Sequence, residues 1–454
     1  MSQVEVEGRG GLLFNVNLVF FSQIVIYGLA FALRVILARG LGDSGLGTFA
    51  LFFNAVLVAG GVANLGVGLG SIYFLNKGTY SYGVLLSGSV VVFATTSAAG
   101  WVLLAGYGVV AEPSLFVSSG SYWLYGVAVP ATVAYVLLTA FLHGASRFAA
   151  LSVVAVTQGA VSVASAGSLY LVDELDVLGA VAAWGGSFVI ADLVALGLVG
   201  LGRIDLPSLL RPRWDVLREQ IRYGAQGQIA NLTALFNYRL DQFLVAGFVS
   251  RAGVGHYTVA VGLGESVWWL SSSVALVLQP RLTQMDREEA GRLTPVACRN
   301  TMLVSALGGV ALVIVSPVAI RLLFGGEFDP AVLPLILLMP GIVAASATRV
   351  LGSYLYSQGR VIYNTYATLI ALGVTISLDL ALIPWLEVEG AAIASSIAYS
   401  VALVATLYWY RLVSGGGVWE ALVIQRGDLR RYREVWERVT GRLAGRADDD
   451  VARD

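Results

Sequence analysis

The chain has 454 residues, of which 57% are hydrophobic before its 53 glycines are counted and 13% are charged, with a formal net charge of −1. Soluble domains carry about 45–50% apolar residues, glycine included, and about 25% charged ones. This composition therefore excludes a soluble globule, a disordered chain and a coiled coil, and predicts a polytopic all-α membrane protein. One cysteine, Cys298, and two histidines, His143 and His256, exclude an internal disulfide and a metal site built on Cys or His.

Apolar windows long enough to span a bilayer recur along the chain. We read twelve: 12–38, 46–75, 82–108, 119–141, 148–172, 177–201, 223–249, 254–279, 301–324, 331–357, 361–384 and 389–412. They are continuous runs without the alternation of a barrel strand, so they read as helices, the longer ones tilted or running past the membrane edge. The first span is long and no basic segment precedes it, so no cleavable signal peptide is expected. Between the sixth and seventh windows, residues 202–222 form a basic linker. After Pro212, its Trp214, Leu217 and Ile221 suit one face of a short interfacial helix. In the tail, 413–454, Leu429, Tyr432, Trp436, Val439 and Leu443 make an apolar stripe ringed by arginines, followed by the acidic Asp448–Asp450. This is the pattern of a helix lying on anionic lipid.

With the N-terminus cytoplasmic, 22 of the 28 Lys and Arg fall on the cytoplasmic side. Only Arg39, Arg251 and Arg321 fall on the other, among nine acids that include Asp43, Asp173, Glu327 and Glu387. That asymmetry predicts both termini in the cytoplasm of a cell membrane.

Three stretches recur in order at an offset near 210. "GLGTFALFF" (Gly45–Phe53) pairs with "GVGHYTVAV" (Gly253–Val261) at 208, the stretch at Pro130 with that at Pro340, and Leu178–Leu196 with Glu389–Leu407. The repeat predicts two six-helix lobes, 1–201 and 223–412, inserted in the same sense about a pseudo-two-fold along the membrane normal.

Seven charges remain inside spans: Arg34, Arg239, Arg349, Asp192, Asp241, Glu265 and Asp379. Each costs at least about 2.5–3.5 kcal/mol near a helix centre on insertion scales, so each is a candidate for a wet cavity or a partner. At roughly 100° per residue, Gln23, Tyr27 and Arg34 share a face of the first span. Gln228, Asn231, Tyr238 and Gln242 share one on the seventh, with Arg239 and Asp241 beside it. Glu265, Trp268 and Ser272 align on the eighth, and Ser346, Arg349, Ser353 and Tyr356 on the tenth. The substrate-binding candidates are Arg34, Arg239, Arg349, Gln23, Tyr27, Asn231 and Gln242, because a guanidinium fork suits a phosphate. Asp241 and Glu265 are candidates for a coupling H⁺ or Na⁺. Asp192 and Asp379 read as hydrogen-bond partners between helices, and Trp268–Trp269 as packing or interfacial aromatics.

The segments Arg34–Gly78, Arg239–Asp286 and Ile376–Leu403 resemble the polysaccharide-biosynthesis (Wzx-type) flippases of the multidrug/oligosaccharidyl-lipid/polysaccharide (MOP) exporter superfamily. The resemblance spans about 10–412. It implies a twelve-helix, V-shaped, MATE-like transporter that carries a lipid-linked oligosaccharide from the cytoplasmic to the outer leaflet by alternating access. It also implies a monomer surrounded by membrane lipid, without cofactor, metal or nucleic acid. The alternative is a cation-coupled multidrug antiporter of the same superfamily. No outward loop is large enough for a catalytic domain and there is no nucleotide-binding loop, so no enzymatic activity is expected.

Overall fold

The computed structural model describes residues 3–110, 123–199, 211–425 and 427–428. Among them every regular element is helical. In chain order they are α1 (Gln3–Ala63), α2 (Val67–Lys77), α3 (Tyr82–Val110), α4 (Trp123–Gly144), α5 (Phe148–Leu171), α6 (Val177–Val199), α7 (Trp214–Phe248), α8 (Arg251–Gln284), α9 (Arg287–Leu323), α10 (Val332–Ser357), α11 (Val361–Ser414) and α12 (Val418–Leu422). A 3₁₀ turn, Gly326–Ala331, joins α9 to α10.

Nine of the described helices are long and apolar enough to cross a membrane. Two of them hold two spans each. α1 turns at Gly42 (φ 68°, ψ −177°), and α11 at Glu387 (φ 51°, ψ −126°), three residues after Pro384. The second span is interrupted again between α1 and α2, where Leu65 (φ 50°) and Gly66 (φ 78°) leave helical geometry. α7 fills the place of the seventh window but is too polar to count among the nine. Each of the twelve predicted windows thus meets a helix, and the chain is a multi-pass membrane protein.

The helix predicted after Pro212 forms, but not as a separate element. Trp214 opens the 35-residue α7, and Leu217 is buried with Val67, Val92, Val133 and Leu137, with Ile221 packed against them. Protein side chains cover Leu217 and pack on Ile221, while Trp214 at the start of the helix is exposed. The predicted tail helix and residues 202–210 of the linker lie outside the described residues.

By its contacts the chain divides into two compact units. The first comprises 1–260, 316–334 and 376–391; the second comprises 261–315, 335–375 and 392–454. In the first, α1 packs on α5, α5 and α4 on α6, and α2 on α4 and α7. Its core joins Phe74, Leu85, Phe141, Val154, Ala191 and Val216. Phe52, Phe53 and Trp184 add an aromatic nest, with Trp184 edge-on to all of its neighbours.

In this unit α1 crosses α8 at residues separated by the predicted repeat offset. A Cβ on Gly47 would sit 1.8 Å from the Arg251 carbonyl oxygen, and one on Gly255 would sit 2.1 Å from that of Asp43. Asp43 and Arg251, like Gly47 and Gly255, are separated by the repeat offset of 208. The contact is reciprocal, as at a two-fold axis, and only glycine allows the backbones this close. His256 Nε2 meets Asp43 Oδ2 at 3.2 Å beside it, and the Glu327 carbonyl oxygen at 3.0 Å.

In the second unit, Leu282, Cys298, Val350, Leu351, Tyr354 and Tyr410 form the core. Arg299 makes a buried two-pronged ion pair with Asp428, its Nη2 donating to Oδ1 at 2.8 Å. That pair fastens the segment after α11 to α9. Large aliphatic residues such as Leu103, Leu193, Ile314 and Leu322 are exposed, as expected of surfaces that face lipid chains rather than water.

Candidate functional site

In the second unit Arg349 projects from α10 and is half-buried. Its Nη1 donates to Ser272 Oγ on α8, and the guanidinium lies over the Trp268 ring, 4.5 Å from its centroid. Trp268 is itself fixed: its Nε1 donates to the Ile342 carbonyl at 3.2 Å, and Tyr399 packs edge-on at 5.5 Å. The polar stripes predicted on the eighth and tenth spans therefore meet here. Trp268, expected only to pack, supplies the π-face. A desolvated cation–π contact contributes about 2 kcal/mol, less than the cost of burying a guanidinium. Among the described residues no carboxylate pairs with Arg349. The site is a positioned cation with donors to spare, and its chemistry suits an oxyanion. Glu265, one turn before Trp268 on α8, is half-buried in the same unit.

The first unit holds the remaining candidates. Arg34 on α1 and Arg239 on α7 are half-buried, as is Tyr27, while Gln23 and Asn231 are exposed. Gln242 is buried, and its Oε1 accepts from Asn54 Nδ2 at 2.7 Å and from Thr258 Oγ1 at 3.4 Å. In this structure its amide is engaged in packing rather than open to a ligand.

Asp241 is 1% exposed and accepts a 2.6 Å hydrogen bond from the Tyr257 hydroxyl. Asp379, on α11, is fully buried and lies within electrostatic reach of Asp241. Neither of its carboxylate oxygens has a hydrogen-bond partner. The expectation that Asp379 hydrogen-bonds between helices is not met, and Asp192 Oδ1 on α6 is likewise buried without a partner. Two neighbouring buried carboxylates, one of them bare, repel each other unless a cation or a proton joins them. The polarity pattern of α11, whose Asp379 sits in an otherwise aliphatic run, gave no hint of this pairing.

Comparison with known proteins agrees with the resemblance read from the spans. A family model described as "Polysaccharide biosynthesis protein" matches residues 122–333. The chain is 22% identical over 216 residues to the probable low-salt glycan biosynthesis flippase Agl15 of Haloferax volcanii, a match that covers 47% of this chain and 46% of that protein. The matched region thus spans about half the length of this relative. Among solved structures, an inward-facing multidrug resistance MATE transporter of the MOP superfamily superposes with a TM-score of 0.70 at 15% identity, covering 86% of this chain and 94% of that one. The lipid II flippase MurJ in an inward closed conformation gives 0.69 at 11% identity, covering 88% and 90%. A MOP superfamily transporter from Pyrococcus furiosus gives 0.57 at 13%, covering 88% and 94%. The fold is that of the MOP transporters, and the resemblance to their polysaccharide-biosynthesis branch is borne out.

Proposed function

We propose that the protein is a flippase that moves a lipid-linked oligosaccharide from the cytoplasmic to the outer leaflet by alternating access of two six-helix lobes, 1–201 and 223–412. The observation that carries this reading is Arg349, a guanidinium held inside a span by Ser272 and Trp268, with no carboxylate paired to it among the described residues. A lipid-linked glycan carries a phosphate or pyrophosphate that must cross the low-dielectric core. A fixed, uncompensated cation lowers the cost of that step, and the fork geometry can grip two phosphate oxygens at once. Arg239 and Arg34, with Gln23, Tyr27 and Asn231, are assigned to the same substrate path. The charge asymmetry supports cytoplasmic termini, and the reciprocal Gly47–Gly255 contact supports the repeat.

Coupling to an ion gradient is assigned to Asp241 with Asp379, because the bare carboxylate beside a second buried acid is a place where H⁺ or Na⁺ is stabilised. Glu265 is the alternative. The same acid pair also favours the second reading, a cation-coupled antiporter of small molecules, which has no use for an uncompensated arginine.

Flipping of a fluorescent prenyl-phosphate glycan in proteoliposomes separates the two readings. Charge-assisted hydrogen bonds contribute about 1.5–3 kcal/mol each, so Arg349→Ala should slow flipping by at least about tenfold while the protein still inserts. Arg349→Lys should recover only part of the loss, because an ammonium keeps the charge and loses the fork. Wild-type flipping by the Arg239→Ala, Arg349→Ala double variant would overturn the phosphate role and favour the antiporter.

A further inference from the structure

A second polar site lies in the first unit, where the second span breaks. A cavity of about 230 Å³ is walled by Asn64 at the break, Thr139 and His143 on α4, and Gln228 and Asn231 on α7, with aliphatic side chains between them. The break itself creates part of this wall. Because the Leu65 amide donates to Val62 instead of Gly61, the Gly61 carbonyl loses its helical donor. The Gln228 side-chain amide takes that place at 2.7 Å, and its Oε1 is left with no donor. Asn64 is 4% exposed. Its Oδ1 accepts from the Gly68 amide at 3.3 Å, while its NH₂ group has no protein partner. The side chains of Asn231 and His143 make no hydrogen bond within the described residues. Thr139 donates to the Tyr135 carbonyl at 2.6 Å and keeps its oxygen available as an acceptor. Gly66 fixes the geometry: a Cβ there would lie 2.4 Å from the Gly224 backbone, so the break is clamped directly against α7.

We infer that this cavity is a binding site for a sugar ring of the lipid-linked substrate, an assignment that rests on the flippase reading above. The unused amides of Asn64, Gln228 and Asn231 and the Thr139 hydroxyl include both donors and acceptors, which matches hydroxyls that donate and accept at once. No carboxylate, lysine or arginine lines the cavity, so neither a phosphate nor a metal ion finds a permanent opposite charge there. The aliphatic wall between the amides suits the C–H face of a pyranose. At about 230 Å³ the space is below the ~300–1,000 Å³ of drug-sized pockets, which fits one ring rather than a whole glycan. In the proposed orientation it lies toward the cytoplasmic ends of α4 and α7, where the substrate would be loaded. The arginines then hold the phosphate, and this cavity reads the sugar.

The test uses the full chain in lipid nanodiscs and four probes: farnesyl phosphate, and farnesyl phosphate carrying glucose, mannose or N-acetylglucosamine. At least one sugar-bearing probe should bind about tenfold more tightly than farnesyl phosphate, the increment of one or two net hydrogen bonds. Asn231→Ala, at an exposed position, should bring that ratio to about one. Val136→Trp, which fills the cavity from α4, should do the same without altering any of the polar groups. Equal binding of all four probes by the wild type, or a ratio unchanged in both variants, would overturn the assignment. Arg349→Ala reports on the parent reading separately. Weaker binding of every probe at an unchanged ratio supports both readings. A sugar-dependent gain with no effect of Arg349→Ala supports the cavity and counts against the phosphate anchor.

Discussion

Arginines in this chain do three different jobs, and their partners tell them apart. Near helix ends they close open carbonyl groups: Arg39 donates to the Leu322 and Leu323 carbonyls at the end of α9, Arg147 to that of Leu198 in α6, and Arg287 to that of Val413 in α11. A cation there also complements the negative end of the helix dipole. Arg349 has no such carbonyl. Arg299 belongs to a third case, a buried pair with Asp428, where removing one partner leaves the other charge stranded. Asp428→Ala should therefore cost about 3 kcal/mol or more, read as a lower midpoint of thermal unfolding in detergent. Arg299→Met with Asp428→Leu should recover much of it. A single variant as stable as wild type would show the pair to be dispensable. At Asp379 the expected change is functional. Asp379→Asn should abolish dependence of flipping on an imposed H⁺ or Na⁺ gradient while the protein stays folded, and gradient-dependent flipping in that variant would remove the coupling role from this pair.

The helices are shaped by glycine as much as by apolar length. Gly42 and Gly66 adopt positive φ, which a side chain resists, and both turn or interrupt a chain that hydropathy reads as nearly continuous. Leu65, a non-glycine residue at φ 50°, carries strain that its neighbours must hold. The reciprocal contact of Gly47 and Gly255 has a direct test. Gly255→Ala would place a methyl 2.1 Å from the Asp43 carbonyl oxygen, so α1 and α8 must separate. An overpacking cost of about 1–3 kcal/mol is expected in thermal unfolding. Gly186→Ala, where nothing lies within 4 Å, is the matched control and should be neutral or slightly stabilising. Equal effects of the two substitutions would show the crossing to be loose.

At the scale of the whole molecule, orientation rests on the distribution of charge. Single cysteines at Asp173, Glu174 or Asp176, in a Cys298→Ser background, should react with an impermeant thiol reagent from outside intact cells. Labelling only after the membrane is opened would invert the topology. The compact units do not follow the predicted repeat halves: 223–260, 316–334 and 376–391, from the second predicted lobe, cluster with the first. Sequence similarity marks what was duplicated, whereas contact marks what packs together, and the Gly47–Gly255 crossing shows how parts of different repeats come to share a unit.

The membrane class and the helical spans were legible in the sequence, which also singles out Arg349 and predicts the repeat. Each depends on local hydropathy, on counting charges, or on the cost of a lone charge in an apolar run, and none needs a neighbour from a distant segment. The turns at Gly42 and Glu387 fall in the predicted gaps, but the break at Leu65–Gly66 was not legible, because Gly66 is needed there only for its approach to Gly224, more than 150 residues away. The same holds for the partners. Trp268 beneath Arg349, Asp379 beside Asp241, and Asn64 across one cavity from Gln228 and Asn231 of α7 come from different segments of the chain. A hydrophobic pattern sets which face of a helix is polar; only packing decides which polar face it meets.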